Sequence, residues 1–283
     1  MRHLELPDGT PFPVLGLGTW RMGEASTTRS AEIASVRSAI ELGYRLIDTA
    51  EMYGEGGAET VVGHALADAF RANAVQRQDM CIVSKVYPHN ASRRGTVAAC
   101  ERSLKRLDLD QLDLYLLHWR GSHPLAETVE AMESLLHAGK IRNWGVSNFD
   151  VDDLQELQAL KASRCATNQV YYSLGQRGPE FGLLPWMRER AMPLMAYSPI
   201  DQGALAGDDT LATIGQARGL TAAQVALAWV VGQPGVAAIP KASSTQHLQD
   251  NLAAEGVSLS AQELQQIDAR FAPPRRKTPL AMI

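Results

Sequence analysis

Residues 14–20 of the sequence read Val-Leu-Gly-Leu-Gly-Thr-Trp, and this short stretch separates the two folds that the rest of the chain allows. Residues 14–18 form a short apolar run, as expected of a buried strand. An open, doubly wound sheet that binds a dinucleotide usually continues such a strand into a G-x-G-x-x-G turn. Here the third glycine of that turn is missing after Gly16 and Gly18. The stretch therefore favours a closed barrel over the open sheet.

Short apolar segments recur along the whole chain, and longer amphipathic segments lie between them. Eight of the short segments are predicted strands, at residues 14–18, 45–48, 80–86, 112–118, 143–147, 165–170, 193–197 and 236–240. The predicted helices span residues 30–42, 58–70, 96–107, 127–137, 150–160, 221–231 and 260–271. Eight strands that alternate with helices are the number that closes a (β/α)₈ barrel. The sequence predicts this α/β fold as a single domain over residues 1–283, with the open doubly wound sheet as the alternative.

The composition is that of an ordinary globular protein and excludes several classes of function. The chain has 27 basic and 31 acidic residues, so its net charge of −4 gives no reason to expect binding to nucleic acid or to a membrane surface. The sequence contains neither a secretory leader nor an apolar run that approaches the roughly 18 residues of a membrane span. Cys81, Cys100 and Cys165 are too scattered for a disulfide framework or a zinc site. We therefore expect a cytoplasmic, metal-free protein, and a monomer because no extra apolar face is evident.

Most predicted strands carry a polar or ionisable residue near their carboxyl ends, which is where (β/α)₈ barrels have their active sites. In chain order these residues are Asp48 with Tyr53 just beyond it, Lys85, His118, Ser147-Asn148, Asn168-Gln169, Tyr197-Ser198 and Lys241. Each alone has an ordinary structural explanation, such as a helix N-cap for Asp48 or a hydrogen-bonded core histidine for His118. Together at one end of the barrel they predict a site, because such groups are costly to bury unless they pair.

Four of these residues, Asp48, Tyr53, Lys85 and His118, suit the protonation of a carbonyl oxygen. A tyrosine has an ordinary pKa of about 10, and a lysine ammonium nearby is expected to lower that pKa. Asp48 would hold Lys85, Tyr53 would donate the proton, and His118 would hydrogen-bond the same oxygen. Because the set has no evident nucleophile and no metal site, the sequence predicts a hydride from a nicotinamide cofactor.

The other polar strand ends suit the binding of that cofactor. The side chains of Ser147, Asn148 and Gln169 are placed to hydrogen-bond a carboxamide, and Tyr197 offers a flat ring for stacking. Lys241, with the hydroxyls and backbone amides around Ser243, suits a phosphate, as loops after the last strands of these barrels often do.

Eight motifs together resemble those of the aldo-keto reductase superfamily, and the resemblance covers nearly the whole chain. They are Gly-Leu-Gly-Thr-Trp at 16–20, Leu-Ile-Asp-Thr-Ala-Glu-Met-Tyr-Gly at 46–54, Val-Ser-Lys at 83–85, Asp-Leu-Tyr-Leu-Leu-His-Trp at 113–119, Gly-Val-Ser-Asn-Phe at 145–149, Asn-Gln-Val-Tyr-Tyr at 168–172, Ala-Tyr-Ser-Pro at 196–199 and Ile-Pro-Lys-Ala-Ser-Ser at 239–244. Within the family, Ser-Lys-Val-Tyr-Pro at 84–88 and Leu-Leu-Pro-Trp at 183–186 resemble the branch of bacterial methylglyoxal reductases.

The resemblance implies a (β/α)₈ barrel that binds NADPH in extended form and reduces aldehydes or ketones, with Tyr53 as the general acid of a tetrad. It implies that the rest of the cofactor contacts Thr19, Ser198, Lys241, Ser243 and Asn251. It also implies that the walls of the substrate pocket are Trp20, Tyr87 and Trp119.

The chain departs from the family pattern at two positions. Many members have an arginine that binds the 2′-phosphate of NADPH. This chain has His247 at that position, on the helix expected after Lys241. A histidine binds a phosphate more weakly than an arginine does. Lys241 still favours NADPH, with NADH as a second option. Arg120 stands where many members have proline, and it would be either a cation near the rim of the pocket or a solvated loop residue.

The proline-rich residues 272–283 are expected to lie irregularly on the surface. The long carboxyl-terminal loop of larger relatives is not evident, so we expect an open pocket that accepts small or varied aldehydes.

Two other functions stay open at this point. Some members of the superfamily serve as cofactor-binding subunits of ion channels, so one alternative is a non-catalytic nicotinamide sensor. The other is a Schiff-base aldolase or lyase with Lys85 or Lys241 as its nucleophile. A Lys85 paired with Asp48 would be charged and therefore a poor nucleophile.

Overall fold

The computed structural model describes residues 1–160 and 164–283. The chain begins with a small β-hairpin that was not predicted from the sequence. Strand β1 (His3–Glu5) pairs antiparallel with β2 (Pro11–Pro13). Leu6 and Phe12 are buried among the apolar side chains of the barrel interior. Asp8, in the turn of the hairpin, accepts a hydrogen bond from Asn143, which lies near the start of a barrel strand. The hairpin therefore covers the end of the barrel opposite the predicted site.

Eight parallel strands form one sheet in which each strand pairs with the next in the chain. They are β3 (Gly16–Gly18), β4 (Leu46–Asp48), β5 (Cys81–Val86), β6 (Leu112–Leu117), β7 (Ile141–Ser147), β8 (Cys165–Tyr171), β9 (Leu194–Tyr197) and β10 (Val236–Ala238). The amide of Ala238 donates to Val14 O at 2.8 Å and the amide of Gly18 donates to Pro240 O at 3.1 Å, so the last strand joins the first. The predicted (β/α)₈ barrel is confirmed, and the alternative of an open sheet is wrong.

The closing seam depends on a close approach of two backbones at Gly18. A Cβ atom at this position would lie 2.6 Å from the carbonyl oxygen of Ile239, too close for any larger residue to fit without a shift of the strands. The second glycine of the opening motif therefore serves to bring β3 against β10.

Within residues 1–160 and 164–283, ten α-helices follow or connect the strands of the barrel. They are α1 (Arg29–Glu41), α2 (Gly57–Arg71), α3 (Arg93–Leu107), α4 (Leu125–His137), α5 (Val151–Ala159), α6 (Leu183–Arg188), α7 (Asp209–Gln216), α8 (Ala222–Val231), α9 (Thr245–Glu255) and α10 (Ala261–Arg270). The seven predicted helices and the helix expected after Lys241 are present with small shifts at their ends. Helices α6 and α7, which have only 6 and 8 residues, were not predicted. None of the described helices is long and apolar enough to cross a membrane.

The barrel interior changes from apolar to polar along the strands. Leu46, Val83 and Leu114 are fully buried in the apolar interior cluster. Two residues further along their strands, Asp48 and Lys85 are buried as well. Because the strands are parallel, these polar residues all lie at the carboxyl end of the barrel, and the fold therefore concentrates charge there.

Candidate active site

A buried lysine connects three of the four predicted catalytic residues. Lys85, on β5, has a fully buried side chain, and its Nζ lies 2.6 Å from Asp48 Oδ2 and 3.2 Å from the hydroxyl of Tyr53. The same atom donates to the backbone oxygen of Thr49 at 2.8 Å. An ammonium has three N–H groups, and all three are used in these contacts. Lys85 is therefore held in one orientation at the floor of the site.

Lys85 keeps its positive charge although it is buried. Burial alone would lower the pKa of Lys85, but the Asp48 carboxylate and the Tyr53 oxygen raise it, and the net pKa lies above the ordinary range. A protonated amine has no free electron pair with which to attack a carbonyl carbon. The geometry therefore disfavours Lys85 as the nucleophile of a Schiff-base lyase.

Tyr53 lies in a tight turn just beyond β4. Gly54 follows it with φ +56°, and a Cβ on Gly54 would lie 2.9 Å from the backbone of Gly23. The chain therefore needs a glycine directly after the tyrosine. The Tyr53 ring lies 4.7 Å from Lys85 Nζ and 5.6 Å from the ring of His118, which it meets edge-on.

The net pKa of Tyr53 is raised, which corrects the prediction that Lys85 lowers it below the ordinary value. Burial is the largest cause and raises the pKa, Lys85 opposes this by favouring the phenolate, and the Asp48 carboxylate adds to the rise. The direction of the lysine effect is as predicted, but burial outweighs it. Tyr53 is therefore a protonated phenol at neutral pH, which is the form that can donate a proton.

His118, just after β6, is a neutral imidazole. Burial and the nearby charge of Lys85 lower the pKa of His118 well below its ordinary range. Its Nδ1 is enclosed and has no hydrogen-bond partner among residues 1–160 and 164–283, while the residue lines the central cavity. Because Nδ1 is the enclosed nitrogen, Nε2 is the one available to donate a hydrogen bond into that cavity.

A cavity of about 460 Å³ opens above these residues at the carboxyl end of the barrel. The predicted site residues that line it are Trp20, Asp48, Tyr53, His118, Trp119, Asn148, Gln169, Tyr197, Ser198 and Lys241. The structure thus brings together side chains from seven strand ends that are distant in the sequence.

The other predicted residues lie around the cavity without lining it. Lys85 is beneath the floor, and Thr19 is buried with its hydroxyl donating to Asp48 O at 2.9 Å. Tyr87 packs edge-on against the ring of Trp119 at 5.1 Å. The remaining members of this group are the buried Ser147, the exposed Ser243 and His247, and the half-buried Asn251.

The three predicted carboxamide ligands already bond to one another or to their neighbours. Gln169 Nε2 donates to Asp48 Oδ1 at 2.8 Å, which leaves the oxygen of the Gln169 amide for a ligand. Asn148 Oδ1 accepts from the Tyr197 hydroxyl at 2.9 Å, and Asn148 Nδ2 donates to Ser147 Oγ at 3.1 Å. Asn148 therefore fixes the Tyr197 ring at the wall of the cavity.

Several cavity residues were missed from the sequence. Arg21 directly follows the motif at 16–20 and Met52 lies within the motif at 46–54, so these motifs were the available signal. Met282 and Ile283 line the cavity as well. The carboxyl-terminal segment is irregular and lies on the surface as predicted, and these two residues are exposed while they line the open side of the cavity. Nothing in their local sequence distinguishes them from a solvent-exposed tail.

Arg120 is turned towards a helix and does not line the cavity. Its guanidinium makes two hydrogen bonds to the carboxylate of Glu156 on α5, at 2.6 and 2.9 Å. The structure therefore supports the interpretation of Arg120 as a loop residue. It does not support the interpretation of Arg120 as a cation on the rim of the pocket.

We expect Arg120→Ala to change KM for an anionic substrate by less than about twofold, because an exposed ion pair of this kind contributes little to the fold or to the cavity. Steady-state kinetics with 4-carboxybenzaldehyde and with uncharged 4-nitrobenzaldehyde would measure this. A KM that rises severalfold for the anionic aldehyde alone would show that Arg120 does contact the substrate.

With this geometry in place, comparison with known proteins shows the class of the chain. The Aldo/keto reductase family model matches residues 14–270, and the chain belongs to this family. It is 50% identical to methylglyoxal reductase YeaE of Escherichia coli, over 100% of this chain and 99% of that protein. It is 35% identical to glyoxal reductase of Bacillus subtilis, over 94% of this chain and 91% of that protein.

Solved structures agree with this assignment. The structure of an aldo-keto reductase from Klebsiella pneumoniae in complex with NADPH matches with a TM-score of 0.94 and 47% identity. The match covers 100% of this chain and 99% of that one. The resemblance inferred from the motifs is confirmed, and with it the predicted class of enzyme, an aldo-keto reductase.

Proposed function

We propose that this protein is an NADPH-dependent reductase that converts small aldehydes and ketones to alcohols, with Tyr53 as the general acid. The observation that carries the proposal is a pair of contacts from Lys85 Nζ, to Asp48 Oδ2 at 2.6 Å and to the Tyr53 hydroxyl at 3.2 Å. These contacts lie beneath the cavity, which is lined by Tyr53 and the neutral His118.

The cavity residues fit a nicotinamide cofactor. The ring of Tyr197, fixed by Asn148, offers a stacking surface, and the free oxygen of Gln169 can accept from a carboxamide. Partial desolvation lowers the pKa of Lys241 although the residue is exposed, and a phosphate beside it would stabilise the charged ammonium. When bound, the cofactor supplies a hydride to the carbonyl carbon. Of the remaining predicted contacts, Thr19, Ser147, Ser198, Ser243, His247 and Asn251 stay proposals for holding it.

The four tetrad residues divide the handling of the proton. His118 Nε2 donates a hydrogen bond to the substrate oxygen and orients it. Tyr53 gives its proton to the same oxygen as negative charge develops there. Lys85, kept charged by Asp48, stabilises the phenolate that Tyr53 becomes. Because Lys85 already contacts Asp48 and Tyr53 before a substrate arrives, little rearrangement is needed at the reacting step.

Methylglyoxal and related small dicarbonyls are the substrates that we propose. The support is the full-length similarity to the E. coli methylglyoxal reductase, together with the indole walls of Trp20 and Trp119 beside Tyr53 and His118. The alternative of a non-catalytic sensor is disfavoured because every member of the proton-handling set is present and in contact.

The first experiment is a fluorescence titration of the purified protein with NADPH and NADH, followed by absorbance decay at 340 nm with methylglyoxal and 4-nitrobenzaldehyde. NADPH binding with turnover would support the proposal. Binding without turnover of either substrate would favour the sensor, and no binding of either cofactor would refute the assignment of the cavity.

We expect His247→Arg to lower the Kd for NADPH by about tenfold and to leave the Kd for NADH unchanged. His247 is exposed near the start of α9, six positions after Lys241. An arginine there would add a charged, two-pronged donor for the 2′-phosphate, which NADH lacks. Fluorescence titration with both cofactors would measure the ratio, with His247→Gln as the uncharged control. An equal gain for NADPH and NADH would place the 2′-phosphate elsewhere.

A further inference from the structure

One wall of the cavity is a short segment with an unusual backbone. Residues 198–203 follow β9, and the members that line the cavity are Ser198, Pro199, Ile200, Gln202 and Gly203. Three residues of this segment have a left-handed backbone without being glycine: Ser198 at φ 48°, Asp201 at φ 49° and Gln202 at φ 53°. Such a conformation is unfavourable for most side chains and persists only where the surroundings fix it.

Asp201 is the member of the segment that lies outside the cavity lining, and its side chain supplies such a fixed point. Its Oδ1 accepts a short hydrogen bond from Ser173 Oγ, and Ser173 is fully buried just after β8. Ser173 Oγ also accepts from the amide of Gln176 at 3.1 Å, so the serine is itself held in a turn. A Cβ on Gly175 would collide with Asp201 Oδ2, so the glycine makes room for the carboxylate.

The same carboxylate lies beside Tyr171, whose ring packs on the cavity-lining ring of Tyr197. Burial, with the Asp201 carboxylate next to it, raises the pKa of Tyr171 to about 12. The ring of Tyr171 stacks on the ring of Tyr197, with centroids 5.5 Å apart and planes at 22°. Asp201 thus adjoins both the strained segment and the support of the proposed stacking residue.

We propose that Asp201 is a positioning residue whose carboxylate, bound to Ser173, holds residues 198–203 in the shape that lines the cavity and so determines how tightly and how long the nicotinamide cofactor is bound. This inference rests on the proposed function. It predicts an effect on cofactor release and not on the hydride-transfer step, because Asp201 touches neither the tetrad nor the space above it.

Three substitutions at one position test this inference. Asp201→Ala removes the carboxylate and keeps the strained backbone, whereas Asp201→Gly removes the carboxylate and relieves the strain. Asp201→Asn keeps an acceptor for Ser173 Oγ and tolerates the left-handed conformation. Stopped-flow release of NADPH should be about tenfold faster in the alanine and glycine variants, the loss expected for one charge-assisted hydrogen bond, and within about threefold of wild type in the asparagine variant. The single-turnover rate at saturating NADPH should stay within about twofold of wild type in all three.

The partner serine gives an independent arm. If Ser173 and Asp201 act through one contact, Ser173→Ala/Asp201→Ala should release NADPH no faster than Asp201→Ala alone. An Asp201→Gly variant that releases NADPH at the wild-type rate would overturn the inference. It would show that a residue which tolerates the left-handed backbone is enough at this position and that the carboxylate is not needed. Additive effects in the double variant would also overturn it. A wild-type protein that binds no NADPH would instead refute the proposed function, so the two failures are distinguishable.

Discussion

Replacing Tyr53 with phenylalanine is expected to lower kcat by about 10²–10⁴-fold and to change the Kd for NADPH by less than about twofold. The variant loses only the hydroxyl, which lies 3.2 Å from Lys85 Nζ and is the proton donor of the proposed reaction. Its ring keeps the packing against His118 and Lys85. Steady-state reduction of methylglyoxal at 340 nm and fluorescence titration with NADPH would measure the two quantities.

The matched control is Tyr115→Phe. Tyr115 is fully buried on β6 and does not line the cavity, so the same loss of a hydroxyl there should leave kcat within about twofold of wild type. A Tyr53→Phe variant that keeps kcat within tenfold of wild type would mean that another group protonates the oxygen.

The composition of the site was predictable because a parallel barrel collects strand ends in one place. Asp48 ends β4, Lys85 lies one residue before the end of β5 and His118 follows β6 directly. Tyr53 lies in the turn just after β4, so the fold alone brings the four residues together. The contacts of Lys85 with Asp48 and Tyr53 were predicted for the same reason, and both are present. The pattern of apolar strands with polar ends therefore carried most of the information about both the barrel and its mouth.

The electrostatics of the site depend on depth, which the sequence does not contain. The prediction for Tyr53 named Lys85 as the controlling neighbour, but burial has the larger effect on the pKa and the opposite sign. The sequence also did not indicate that the Thr19 hydroxyl and the Gln169 amide nitrogen donate to the backbone oxygen and the carboxylate of Asp48. The assignment of these two residues to the cofactor stays a prediction. The hydrogen-bond partner of a buried polar side chain depends on its exact position in the fold, which the sequence pattern does not give.

Contacts between irregular segments were beyond prediction for a different reason. Met282 and Ile283 reach the cavity, and Asp201 reaches Ser173 across 28 residues of sequence, with no hydrophobic period or motif to indicate either. Likewise β1 (His-Leu-Glu) has one apolar residue between two polar ones and β2 (Pro-Phe-Pro) contains two prolines, so neither shows the apolar run that indicated the equally short β4 and β10. Periodicity predicts elements that repeat, and these parts of the chain do not.

Replacing Lys85 with methionine is expected to lower kcat by about 100-fold or more and to shift the pH dependence of the reverse reaction. In alcohol oxidation Tyr53 must act as the phenolate, so the rate rises with pH as the phenol ionises. Lys85 lowers the pKa of Tyr53 against the effect of burial, so its loss moves this rise to higher pH. Because burial already places the net pKa of Tyr53 above the ordinary tyrosine value of about 10, rates of alcohol oxidation with NADP⁺ should be followed from about pH 8 to well above pH 10 to show the displacement.

The same substitution should also destabilise the fold, and a double variant separates the two effects. Lys85→Met leaves the carboxylate of Asp48 buried without its cation, which typically costs about 3–5 kcal/mol. Adding Asp48→Asn removes that unpaired charge, so urea unfolding of Lys85→Met/Asp48→Asn should recover much of the stability. Its activity should stay low, because methionine supplies no positive charge to favour the phenolate of Tyr53. A double variant that regains both stability and activity would show that Lys85 serves the fold alone, whereas a stable and inactive one would assign its charge to the chemistry of Tyr53.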